Sequence, residues 1–146
     1  MRDLPRHLSE DELAELFEGR TRLVERLAGR ENPLDGAREV IASLSDEEKL
    51  EALNAHPAIG ARAGLSARSA SEQGEDADPE VLAELARLNR EYEEQFGFRF
   101  VVFVNRRPKT EILAVLRDRI VRTRKEELDT AVEELVAIAE DRWRRS

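Results

Sequence analysis

The chain has no cysteine and only one methionine, one tryptophan and one tyrosine among its 146 residues. The missing cysteine excludes a disulfide scaffold, a thiolate nucleophile, a cysteine zinc site and an iron–sulfur cluster. No apolar run approaches the roughly 18–20 residues that a membrane span needs. The opening MRDLPRHLSEDE carries charge where a secretory signal has its apolar stretch. A cytoplasmic protein with no membrane partner is the expectation. Basic charge is also in short supply: 24 Lys+Arg face 32 Asp+Glu, a formal net charge of −8. That balance argues against nucleic-acid binding, which depends on basic surface that displaces counterions. Arg142, Arg144 and Arg145 at the end are too few to reverse it. There are two histidines, His7 and His56, and no HxxxH or HExxH spacing, so a metal-dependent hydrolase finds little support.

What is present is enough to fold. The hydrophobic fraction is 40%, and the charged fraction of 38% exceeds the roughly 25% of ordinary globular chains. The length suits one domain over residues 1–146, able to bury roughly two thirds of its unfolded surface. Capping boxes, in which a Ser or Thr and a Glu three residues on satisfy each other's amides, stand at Ser9–Glu12, Ser45–Glu48, Ser69–Glu72 and Thr123–Glu126. Asp78-Pro79 adds an N-cap followed by proline at the first helical position.

Apolar residues recur at helical steps behind these starts. Leu13, Leu16, Phe17 and then Leu23, Val24, Leu27 predict two short helices broken near Gly19. Leu34, Val40, Ile41 and Leu44 predict a third, and Leu50 and Leu53 follow the Ser45 cap. Longer stripes run from Leu82 to Phe96, from Ile112 to Ile120 and from Leu128 to Trp143. Phe98-Arg99-Phe100-Val101-Val102-Phe103-Val104 breaks the pattern, with β-branched and aromatic residues that favour extended chain. No second strand is evident to pair with it. It reads as a buried extended connection whose free amides could face a ligand, with a short strand in a small hairpin as the other reading. The expected fold is all-α, a single-domain helical bundle of roughly seven to nine helices with one buried extended connection near 98–104.

Three polar positions stand out. His56 precedes Pro57, which disfavours helical geometry in its predecessor, so His56 belongs at a helix end. Its imidazole is suited to moving protons near neutrality, or it caps the helix or simply meets solvent. Glu72 closes the Ser69 box or faces a ligand, and Gln73 beside it can read a donor–acceptor pair. Arg142 lies seven residues past Leu135 and fourteen past Leu128. Seven steps return to within about 20° of the same azimuth, so Arg142 continues the apolar stripe while Arg144 points elsewhere. A guanidinium there either finds a partner or an anionic ligand, or snorkels to water where the helix has left the core.

Taken together, HPAIG at 56–60, SASEQ at 69–73, LNREYEEQFGFRFVVFV at 88–104 and IAEDRW at 138–143 resemble the decarboxylases of 2-oxo-4-hydroxy-4-carboxy-5-ureidoimidazoline (OHCU), which make (S)-allantoin in urate degradation. The resemblance extends over the N-terminal helices, FEGR at 17–20 included. It departs at Arg99, where many relatives carry proline, and at Ala58-Ile59-Gly60 after HP. The resemblance implies an all-helical enzyme of purine metabolism, cofactor-free and commonly homodimeric, acting on a small-molecule substrate. It implies a catalytic pair in His56 and Glu72. Ser69, Gln73 and Arg142 would bind substrate, with main chain near Val102 and Phe103, in a pocket shaped by Pro57 and Phe98. The competing readings are a decarboxylase of a related ureido or imidazoline acid, and a non-catalytic helical module that binds protein partners through its charged surface. Convergence of His56, Glu72, Gln73 and Arg142 on one pocket would disfavour that module; their scatter over the surface would favour it.

Overall fold

The computed structural model describes residues 3–56 and 78–145. Among them are seven helices and no strand: α1 (Glu10–Phe17), α2 (Arg22–Ala28), α3 (Ala37–Ser43), α4 (Asp46–Asn54), α5 (Pro79–Phe96), α6 (Lys109–Arg119) and α7 (Arg124–Arg145). The capping boxes at Ser9 and Ser45 both form. At Thr123 the amides of Thr123 and Glu126 are satisfied reciprocally, at 3.1 and 3.2 Å. Asp78 accepts from the Glu80 amide at 2.9 Å ahead of Pro79. The Ser69 box lies outside the described residues.

The helices bury the faces that their spacing marked. Leu13, Leu16 and Phe17 of α1 and Leu23, Val24 and Leu27 of α2 are all buried. Between them Glu18 takes a left-handed backbone, φ 64°, and stops α1. Leu34 is fully buried but lies in the turn before α3, not in the helix. Gly36 starts α3 without a side-chain cap, and apolar spacing alone does not separate a buried turn residue from a helical one. The last helix, α7, runs for 22 residues, about 33 Å. It packs against α1, α3 and α4, while α2 packs against α1, α3 and α4, and α5 against α6.

Residues 98–104 are the extended connection, with Phe98, Phe100, Val101, Val102 and Val104 buried. It forms no ladder among the described residues. Side chains take that role: Asn54 Oδ1 accepts from the Arg99 amide at 2.9 Å, and Arg119 Nη1 donates to the Val101 carbonyl at 2.8 Å. Buried backbone polar groups must be paired, and here the surrounding helices supply the partners. Phe96, Phe98 and Phe100 gather around Tyr92, with ring centroids 4.6, 5.8 and 5.3 Å from it. Four of the chain's few aromatic residues thus fix the connection against α5.

Candidate active site

The end of α4 sets the first group. Ala55 caps the helix, and the His56 amide donates to the Leu53 carbonyl at 3.2 Å. The imidazole turns into the protein and is 5% exposed. Arg99 holds this corner twice, through its amide on Asn54 and through Nη1, which donates to the His56 carbonyl. A proline at 99 could make neither contact, having no amide hydrogen and no guanidinium.

Arg142, near the end of α7, is the second group. It is 2% exposed, so α7 stays packed to its last turns and the snorkelling alternative does not hold. Its Nη1 donates to the Leu16 carbonyl at 3.0 Å, and Nη2 lies 3.0 Å from Glu18 Oε1. Both anchors come from the end of α1, where unsatisfied carbonyls and the helix dipole favour a cation. Arg144 points elsewhere, pairing with Glu140 at 3.5 Å.

Burial first, and then these groups, set the charge of the imidazole. Burial pushes His56 down to about 4, the Arg142 cation adds to the effect, the Glu18 carboxylate opposes it and Arg99 lowers it further. At neutral pH His56 is therefore uncharged. Its place at a helix C-terminus would favour the protonated form, but that interaction is worth only about 0.3–1 kcal/mol at exposed sites, and desolvation outweighs it. Nε2 of His56 meets no hydrogen-bond partner among the described residues. A buried neutral imidazole with an unengaged nitrogen can exchange a proton with a molecule brought against it.

The other sequence-derived positions divide. Phe98 is buried in the Tyr92 cluster. Val102 is buried and Phe103 half-buried, with the Phe103 amide 3.4 Å from Glu134 Oε1 and its carbonyl accepting from Arg107 Nη2 at 2.6 Å. Pro57, Ser69, Glu72 and Gln73 lie outside the described residues. Of the four positions whose convergence would mark a pocket, the structure describes His56 and Arg142, from distant parts of the chain and within electrostatic reach of each other; Glu72 and Gln73 lie outside the described residues. Sequence reasoning missed Glu18 and Arg99 as partners of His56 and Arg142. The available signal at Glu18 was a charged residue directly before Gly19, where a helix ends. No three His, Cys, Asp or Glu side chains cluster to hold a metal among the described residues. No described helix is long and apolar enough to cross a membrane.

A family model described as OHCU decarboxylase matches residues 2–144. A 2-oxo-4-hydroxy-4-carboxy-5-ureidoimidazoline decarboxylase of Halalkalicoccus jeotgali is 33% identical over 114 residues, which cover 73% of this chain and 65% of that protein. A uric acid degradation bifunctional protein of Bacillus sp. (strain TB-90) is 30% identical over 105 residues, 69% of this chain and 21% of that protein. The chain therefore spans less than two thirds of the length of these curated relatives. A crystal structure of an OHCU decarboxylase in the presence of (S)-allantoin shares the fold, with a TM-score of 0.76, 24% identity, and coverage of 90% of this chain and 94% of that one.

Proposed function

The chain belongs to the OHCU decarboxylase family, and from that premise we propose that it decarboxylates 2-oxo-4-hydroxy-4-carboxy-5-ureidoimidazoline to (S)-allantoin in urate degradation. The observation that carries the proposal is the buried, uncharged imidazole of His56 within electrostatic reach of the buried guanidinium of Arg142. The substrate bears a carboxylate beside a C=N bond. When the bond to the carboxylate breaks, its electron pair flows toward the imine nitrogen and carbon dioxide leaves. The substrate is its own electron sink, so the reaction calls for no cofactor. His56 takes the proton of the 4-hydroxyl, and the enolate-like intermediate takes one proton at the ureido-bearing carbon, on one ring face, to give one enantiomer and another at the former imine nitrogen; the His56 imidazolium returns one of the two and solvent supplies the other.

Arg142 holds an anionic oxygen of the substrate. That anion, set against His56, raises the proton affinity of the imidazole, so binding readies the base. Glu72 holds His56 or substrate donors. Ser69, Gln73 and the main chain near Val102 and Phe103 orient the ring and ureido group, in a pocket shaped by Pro57 and Phe98. Ordering a small planar ring in this way supplies much of the rate by itself. The assignment of these residues, the single domain, the cofactor-free chemistry, the homodimer and the cytoplasmic location rest on likeness to the family and on the composition of the chain.

The test uses OHCU generated freshly from urate, with (S)-allantoin followed by circular dichroism. Wild type should outpace spontaneous decay, and His56→Ala and Glu72→Ala should each lose about 10²–10⁴-fold in rate. Equal rates for wild type and His56→Ala would remove His56 from the mechanism. A wild-type rate no faster than spontaneous decay would remove the substrate.

A further inference from the structure

We propose that Glu18 is a positioning residue that aims the Arg142 guanidinium at the site. The proposal rests on the reading of His56 and Arg142 as the reactive centre and adds a residue to it. Glu18 stands at the C-cap of α1 with φ 64° and ψ 26°, a left-handed backbone that glycine or asparagine adopts at least cost. Stability alone would favour one of those two residues here, and Gly19 is the next residue along. A glutamate held in a sparsely populated conformation signals a role for its side chain. That side chain reaches across to α7, where Oε1 lies 3.0 Å from Arg142 Nη2.

The Leu16 carbonyl accepts from Nη1 of the same guanidinium at 3.0 Å. Two points, both from the last turn of α1, fix a planar fork and leave it little freedom to rotate. The carboxylate also balances the charge beside His56. Among the described residues, three charged groups act on that imidazole: Arg142 from α7, Glu18 from the end of α1 and Arg99 from the extended connection. Of these three, Glu18 opposes the two cations. Without it, His56 becomes harder to protonate as well as less well accompanied.

Two variants separate position from fold. Glu18→Gln keeps the length of the side chain and removes its charge, whereas Glu18→Asn removes the carboxylate and suits the left-handed backbone. Both should remain folded by thermal unfolding, lose about 10- to 100-fold in kcat and shift the acid limb of the pH–rate profile to lower pH. Unchanged kcat, KM and acid limb would overturn the proposal, as would failure of both variants to fold. A second readout needs no substrate: ¹⁵N NMR of the Arg142 guanidinium should show hindered rotation in wild type and faster rotation in Glu18→Asn. If wild type does not accelerate loss of OHCU, the substrate reading fails, yet the NMR comparison still decides the role of Glu18. Identical guanidinium dynamics in the two proteins would overturn it.

Discussion

Among the described residues, two buried arginines pair with a glutamate, Arg119 with Glu127 and Arg142 with Glu18, and the two pairs differ in what surrounds them. Glu127 on α7 is fully buried and accepts from Tyr92 Oη at 2.6 Å, Arg119 Nε at 2.8 Å and Arg122 Nη1 at 2.9 Å. Arg119 also donates to the Val101 carbonyl, and its guanidinium lies 4.7 Å from the Phe100 ring centroid. The network ties α5, α6, α7 and the extended connection into one unit. Burial and the bond to Glu127 hold the Tyr92 hydroxyl protonated well beyond its ordinary range. At Arg142 the carboxylate of Glu18 is 13% exposed, and the neighbouring group is a neutral imidazole. A carboxylate with three donors holds structure in place. The proposed function gives the second pair a different task, holding a guanidinium within electrostatic reach of an imidazole that can still take a proton.

Three measurements sharpen or break this contrast. The largest effect belongs to Glu127→Ala, which leaves Arg119 buried without its carboxylate and should cost about 3–5 kcal/mol in urea unfolding. Glu18→Ala should cost less, because water can reach that partly exposed position. Equal costs would erase the distinction between clamp and site. Next comes the pH dependence of stability. The His56 imidazole takes a proton near 6.5 when unfolded and only near 4 when folded. Between those values the unfolded chain binds more protons, so stability is complete above about pH 6.5 and falls as pH drops toward 4. The loss approaches about 3 kcal/mol from this group. His56→Gln should lack that component, and parallel stability–pH curves for the two proteins would show that His56 is not buried neutral. The smallest effect is expected at Arg38, which is 46% exposed and pairs with Glu133 at 2.7 Å and Glu140 at 2.9 Å. Arg38→Ala should cost under about 1 kcal/mol by thermal or urea unfolding. A larger loss would mean that exposed pairs on α7 rival the buried ones.

Much of the fold was legible because its signals are local. The boxes at Ser9, Ser45 and Thr123 and the Asp78-Pro79 start all operate within one helical turn. The β-branched and aromatic run at 98–104 announced extended chain, and the want of a partner strand announced that its polar groups would look elsewhere. Which side chains would answer was not legible, since Asn54 and Arg119 come from two other helices. Leu34 was read into α3 because burial and helical membership leave the same mark on an apolar residue. The candidate site was legible in part: heptad spacing set Arg142 in line with the apolar stripe of α7, but not whether it would stay in the core or reach water, and Pro57 placed His56 at a helix end. Glu18 escaped because nothing in its local sequence connects it to a residue at the far end of the chain.

The sequence by itself determined where most of the helices begin, which faces they bury and that Arg142 would continue the apolar stripe of α7. Caps, proline and apolar periodicity act over a few residues and need no tertiary contact to be read. Only the tertiary structure decided that Arg142 would be met by Glu18 and that His56 would be uncharged beside it. Desolvation and Coulomb interactions depend on distances in space, and those distances exist only once α1, α4 and α7 have packed together.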